Sequence, residues 1–250
     1  MKKMSKIFSA TLCLLVCCSF IFQKDKITLY TIGDSTMSKA NTTDHYPGRG
    51  WVQMIDTFFN GEINIVNQGA SGRSSKSYRD EGHWHKVISR VKEGDYVFIQ
   101  FGHNDAKPDS LRHTSPQTTF KENLRNYVRE VQAKKANPIL FTSIVRRNFD
   151  EKGKLIDTHG EYVTVVRDLA KEMGVSLIDL NKKTAELVEA MGPEESKKLY
   201  MYVDAGVTPK LPKGKKDDTH LCEAGALKVA ELAVKGLREI NSPLAKYLVL

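Results

Sequence analysis

Five short apolar runs, spaced along the chain and separated by stretches of helical spacing, limit the fold more than any other feature. The runs cover residues 27–32, 63–66, 96–101, 138–142 and 175–180. Each is too short for a buried helix and is bounded by turn-forming residues, so each reads as a strand buried on both faces. Helical periodicity lies between and after them, over residues 51–59, 84–91, 120–133, 162–173 and 222–240. Strand and helix alternating in this way predict a parallel sheet with helices on both faces. No internal repeat or low-complexity linker divides the pattern. One domain over residues 26–250 is expected. The pattern is lost after Leu187, and residues 191–216, rich in Lys, Gly and Pro, read as a surface insertion that could wall a cleft.

The chain opens differently. Lys2, Lys3 and Lys6 precede a mostly apolar stretch, residues 7–22, closed by Gln23 and Lys24. Such a stretch is short for a membrane span and has the layout of an export signal, so residues 1–22 are set apart from the fold. Cys17 and Cys18 loosely resemble the lipidation site of bacterial lipoprotein signals, which makes a lipid anchor a second expectation. Of the four cysteines, only Cys222 lies in the expected mature chain, so no internal disulfide can form. Cys222 closely follows His220, but a small apolar residue opening a helix is its simpler role.

With 40% hydrophobic residues the chain suits a packed domain rather than disorder. A formal net charge of +8 favours acidic partners. No run of Lys and Arg is long enough for a nucleic-acid arm and no aromatic RNA-binding pattern is present. An acidic polysaccharide and a membrane surface are the partners left by the charge.

Ligands of open parallel sheets bind beyond the carboxyl ends of the strands. The expected strand ends carry Ser35, Gly69, Asn104 and Arg146, and an expected loop before the last helix carries Asp217 and His220. These residue types can support acyl transfer. Ser35 supplies a nucleophile at a turn where a strand is expected to hand over to a helix N-terminus. His220 can take its proton, and Asp217, three residues earlier, can orient the imidazole. Asp218 is an alternative orienting acid. The backbone N–H groups of Ser35 and Gly69 and the Asn104 amide can serve as oxyanion donors. Asp34 reads as a shaper of the turn. His83, His85, His103 and Asp105 match no trusted zinc spacing. Trp51 and Trp84 could stack on sugar rings, although core packing is usual for tryptophan.

These residues fall into four ordered blocks, and on them the chain resembles the SGNH (GDSL-type) hydrolases. The blocks are Gly33-Asp34-Ser35, Gly69 within Asn67-Gln68-Gly69, Gly102-His103-Asn104-Asp105, and Asp217-Asp218-Thr219-His220. The resemblance implies a three-layer α/β/α sandwich around a roughly five-stranded parallel sheet of flavodoxin-like type. It implies Ser35, Asp217 and His220 as catalytic triad, Ser35, Gly69 and Asn104 as oxyanion hole, and no metal or organic cofactor. The stretches 33–37, 67–74 and 101–105, Arg146-Arg147 with Phe149-Asp150, and residues 159–162 are similar to the rhamnogalacturonan acetylesterase branch. That branch implies an exported serine esterase acting on an acetylated pectic polysaccharide. Arg73 and Arg146 would then be candidates for binding substrate carboxylates, with His103 lining the site. Other readings stay open: an acetylxylan or other carbohydrate O-acetylesterase, a lipid esterase, a non-catalytic glycan-binding protein, or a metallohydrolase.

Overall fold

The computed structural model describes residues 26–249, so the expected export signal and lipidation site lie outside the described residues. Five parallel strands form the central sheet: β1 (Thr28–Gly33), β2 (Asn64–Asn67), β3 (Tyr96–Gln100), β4 (Asn137–Phe141) and β5 (Ser176–Ile178), in the order β2-β1-β3-β4-β5. The chain steps outward from β1 to β2, then returns past β1 to β3. The crevice between β1 and β3 is therefore the switch point of the sheet.

Side chains alternate strictly across this sheet, as the period of two in a strand requires. Leu29, Phe98, Ile139 and Phe141 belong to one core, and Tyr30, Ile32, Val97, Ile99 and Leu140 to the other. On the first face lie α1 (Val52–Ile55), α6 (Leu180–Glu195) and α7 (Glu223–Glu239), contributing Val52, Ile55, Val188, Val229 and Ala233. On the second lie α2 (Ser75–Asp80), α3 (His83–Ile88), α4 (Lys121–Ala133) and α5 (Glu161–Met173), contributing Tyr78, Trp84, Val87, Val128 and Val166. The result is the three-layer α/β/α sandwich expected from the sequence. Each large aliphatic or aromatic side chain so buried stabilises the fold by about 1.5–3 kcal/mol.

Several local expectations are corrected. No helix follows the serine turn. Asp34 to Ser38 form a single turn in which Met37 N–H and Ser38 N–H both donate to Asp34 O, at 3.2 and 3.0 Å, and the next α-helix begins at Val52. The segment 191–216 is not a plain insertion. α6 runs through its start, broken at Gly192, and β6 (Tyr200–Val203) pairs antiparallel with β7 (Lys215–Leu221) in a separate two-stranded sheet. Residues 217–220 are therefore on a strand, not a free loop. Leu180 starts α6 rather than ending β5, because the Asp179 side chain caps that helix by accepting from Lys182 N–H. Helix α2 was not expected. Its sequence is polar, and it is nucleated by a reciprocal capping box between Ser74 and Ser77. Among the described residues no helix is long and apolar enough to cross a membrane.

Both tryptophans are core residues. Trp51 is fully buried against Phe141, with its indole N–H donating to Gln100 Oε1 at 2.8 Å. Trp84 packs edge-on against Tyr127 and donates to Glu130 Oε2 at 2.6 Å. Neither can stack on a sugar. Trp51→Ala and Trp84→Ala are each expected to lower unfolding free energy by about 3–5 kcal/mol, measured by urea denaturation. Wild-type stability in either variant would contradict this placement.

Candidate active site

Ser35 sits one residue beyond the Asp34 carboxylate, in the turn after β1, an interior strand of the sheet. Asp34 is fully buried. Its Oδ1 accepts from Thr36 N–H and Thr36 Oγ1, both at 2.8 Å, which closes the turn from inside. Thr36 Oγ1 in turn accepts from Gln100 Nε2 at 3.0 Å, and Gln100 Oε1 accepts the Trp51 indole proton. The turn is thus tied to β3 and to the start of α1. Burial alone would raise the Asp34 pKa. The facing His103, 3.4 Å away, and the Thr36 donors outweigh it, so the carboxyl lies below its ordinary value. Asp34 is the turn shaper read from the sequence, and a charged one.

The partners of Ser35 come from β7. Between Tyr200 and Met201 the register jumps, so Tyr200 faces Leu221 while Met201 faces Asp217. Residues 218–220 bulge out of the ladder. Asp217 Oδ1 closes the bulge by accepting from Thr219 N–H at 2.8 Å and His220 N–H at 2.9 Å. His220 is thereby turned toward Ser35. Its Nδ1 lies 2.8 Å from Asp217 Oδ2 and its Nε2 lies 2.9 Å from Ser35 Oγ. Burial pushes the Asp217 carboxyl up. Hydrogen bonds from His220, Lys215 and two backbone N–H groups outweigh this, and hold it well below the usual carboxylate range. Asp218, the alternative acid, accepts instead from Arg147 Nε and Tyr202 OH, each at 2.6 Å, away from the imidazole.

The expected oxyanion donors stand at the neighbouring strand ends. Ser35 N–H has no acceptor among the described residues. One Asn104 Nδ2 proton goes to Arg73 O at 3.1 Å, which leaves the other available. Gly69 N–H donates to Asn67 Oδ1 at 2.9 Å, so it would have to be shared. A Cβ at Gly69 would come within 2.9 Å of Ser38 backbone atoms, so only glycine lets the β2 turn approach the serine turn this closely. Asp105 closes the Asn104 turn from below. It is buried and accepts from Ser75 N–H, Ser75 Oγ and Thr114 Oγ1.

Ser35 and His220 separate two cavities. The larger, about 520 Å³, is walled by Lys39, Tyr46 and Arg49 on one side and by Lys210, Lys215 and Leu221 on the other. The smaller, about 290 Å³, is lined by His103, Asn104, Lys107, Arg112 and Arg146. Both are strongly basic. Arg146 reaches the smaller cavity, but its guanidinium also donates to His103 O at 3.0 Å and to Thr158 O and Oγ1. Arg73 lines neither cavity. It pairs with Glu81 at 2.7 Å and donates to Ser71 O. Tyr46, Lys39 and Lys215 were missed by sequence reasoning. The first two lie on an irregular loop with no periodic signal. Lys215 and Asp217 share a strand face that the polar sequence KKDDTHL does not reveal.

Among the described residues no cluster of three or more His, Cys, Asp and Glu could hold a metal ion. His83 pairs with Glu81 on the surface of α3, and Cys222 stands at the N-cap of α7 with its Sγ donating to Lys198 O.

Residues 31–226 match the GDSL-like lipase/acylhydrolase family. The chain belongs to that family. As a GDSL hydrolase it is a carboxylic ester hydrolase. It is 39% identical to the rhamnogalacturonan acetylesterase RhgT of Bacillus subtilis, covering 90% of this chain and 96% of that protein. It is also similar to the crystal structure of protein YxiM from Bacillus subtilis, at 29% identity and a TM-score of 0.75, over 87% of this chain and 58% of that one. The fold is shared with an acetylxylan esterase from Geobacillus stearothermophilus, at 20% identity and a TM-score of 0.60, over 86% of this chain and 94% of that one.

Behind His103 lies His159, buried, with ring centroids 4.6 Å apart and neither His159 nitrogen hydrogen-bonded among the described residues. Burial, with smaller contributions from His103 and Arg146, drives the His159 pKa down from 6.5 to about 2. The folded GDSL hydrolase therefore holds it neutral while the unfolded chain protonates it. Its contribution to stability is present above pH 6.5 and falls as pH drops toward the folded value, at about 1.4 kcal/mol per pH unit. His159→Leu is expected to flatten the loss of stability between pH 6 and 4, measured by urea unfolding across that range. An unchanged slope would exclude this role.

Proposed function

We propose that the chain is an exported carbohydrate O-acetylesterase acting through an acetyl-serine intermediate, with acetylated pectic rhamnogalacturonan as substrate. The observation that carries the chemistry is the unbroken hydrogen-bond chain from Asp217 through His220 to Ser35 at the junction of two open basic cavities. The similarity to a rhamnogalacturonan acetylesterase over nearly the whole chain supports the substrate class. The basic cleft suits a polymer bearing carboxylates.

In this reading Ser35 Oγ attacks the acetyl carbonyl as its proton passes to His220 Nε2. The negative charge forming on the carbonyl oxygen is met by Ser35 N–H, Gly69 N–H and the Asn104 amide. Asp217 stabilises the imidazolium. Collapse of the tetrahedral species breaks the ester C–O bond, and the departing sugar oxygen takes the proton from His220. Water, deprotonated by the same imidazole, then releases acetate and restores Ser35.

Ser35→Ala is expected to reduce acetate release from acetylated rhamnogalacturonan by at least about 10⁴-fold while leaving the unfolding curve unchanged. Undiminished turnover would reject the mechanism, and faster release from acetylated xylan than from the pectic polymer would reject the substrate. Tyr46 is the aromatic residue in the walls of the larger cavity and is half-buried there. Gly48 lies close beside the ring: a Cβ there would meet Tyr46 Cε1 at 2.6 Å. The exposed part of that ring can take the C–H face of a pyranose. Tyr46→Ala is expected to raise KM for the polymer about 5- to 30-fold, in line with about 1–2 kcal/mol of lost stacking, and to leave 4-nitrophenyl acetate hydrolysis near wild type. Equal effects on both substrates would exclude a sugar platform.

A further inference from the structure

The Asp217 carboxylate has a second cationic neighbour that the triad does not account for. Lys215 Nζ lies 2.8 Å from Asp217 Oδ2, the same oxygen that lies 2.8 Å from His220 Nδ1. The placement follows from β7. Lys215 and Asp217 are two residues apart on one strand, so their side chains leave the same face, while exposed Lys216 between them leaves the other. Oδ1 is already taken by the N–H groups of Thr219 and His220. Both oxygens of this carboxylate thus have partners, and one of them is an ammonium on the cleft wall.

We propose that Lys215 is a positioning residue that acts through Asp217: it locks the carboxylate toward His220 and counters part of its charge, so the dyad keeps its base form to lower pH. The physical reasoning rests on sharing. A carboxylate alone beside an imidazole favours the imidazolium and delays release of its proton as pH rises. A positive charge on the same oxygen opposes that pull, because the proton and the ammonium repel each other across Oδ2.

Other charges surround the dyad without occupying that oxygen. Lys39, Arg49 and Lys210 line the larger cavity, and His103, Lys107, Arg112 and Arg146 line the smaller. Asp34 lies buried under the serine turn, paired with His103, and Asp218 is tied to Arg147. Arg49 is paired with Glu223 and Lys210 with Asp44. Among the described residues, Lys215 and His220 are the ion-pair partners of Asp217.

This inference rests on the triad reading above, and the test separates the two. The substrate is 4-nitrophenyl acetate, which is uncharged, so a role for Lys215 in attracting an anionic polymer does not register. Lys215→Met and Lys215→Gln are each expected to move the acid limb of kcat/KM upward by about 0.5–1 pH unit. Lys215→Arg is expected to keep the wild-type limb. Gln retains a donor of hydrogen bonds without the charge, so a shift in Gln as well as Met assigns the effect to charge. An acid limb unmoved in folded Lys215→Met or Lys215→Gln, whether or not the plateau rate falls, would overturn the proposal. Retained activity in Ser35→Ala would instead mark failure of the triad reading itself.

Discussion

A single buried carboxylate sets the geometry of the site. Asp34 has no access to solvent, and an uncompensated charge there would be too costly to keep. It is held by the Thr36 amide and hydroxyl, and it faces the imidazole of His103. Arg146, whose pKa is lowered by burial, is partly sustained by the same carboxylate. Through Thr36 the carboxylate is linked to Gln100 on β3 and so to Trp51 at the head of α1. The turn that presents Ser35 is therefore fixed by polar bonds rather than by a following helix. Backbone positioning of this kind needs little reorganisation when charge develops nearby.

Around that turn the architecture delivers the remaining groups from two directions. The parallel order β2-β1-β3-β4-β5 places Gly69 and Asn104 on either side of Ser35, at the ends of the strands that flank β1. The hairpin of β6 and β7 approaches from above the sheet edge with Asp217 and His220. It is latched to the opposite wall. Thr208 Oγ1 donates to Asp44 O at 2.6 Å, Lys210 Nζ donates to Thr43 Oγ1 at 2.5 Å, and Arg49 N–H donates to Leu221 O at 3.0 Å. These bonds join the two walls of the larger cavity, so the cleft and the dyad share one support. A cleft lined by cations on both sides of the serine concentrates field in a low-dielectric groove.

Legibility in the sequence followed burial. β1, β3 and β4 are covered on both faces and therefore appear as apolar runs; α4, α5 and α7 each bury one stripe and appear as periodic patterns. Elements made by polar bonds stayed hidden. α2, with the sequence SKSYRD, is defined by its capping box and by Asp105 below it. α6 loses its period at the Gly192 break. β7, with the sequence KKDDTHL, has no strand-like composition and exists because β6 pairs with it. Trp51 and Trp84, for which core packing is the usual role and a sugar platform the alternative, are held in the core by Phe141 and Tyr127.

Residue type and order by themselves determined the family blocks, the α/β class and the set of groups that could perform acyl transfer, because parallel sheets bring strand ends together whatever their separation in the chain. Tertiary structure alone decided which groups meet. Ser35 and His220 are 185 positions apart and 2.9 Å apart in space. Asp217 and Asp218 are adjacent in sequence, yet the three-residue bulge in β7 turns one to the imidazole and the other to Arg147. Arg73 was drawn to Glu81, and Lys215 came to lie on the carboxylate of the dyad. Hydrogen bonds and ion pairs weaken steeply with distance and misalignment, so such choices depend on placements of about an ångström, which only the folded chain supplies.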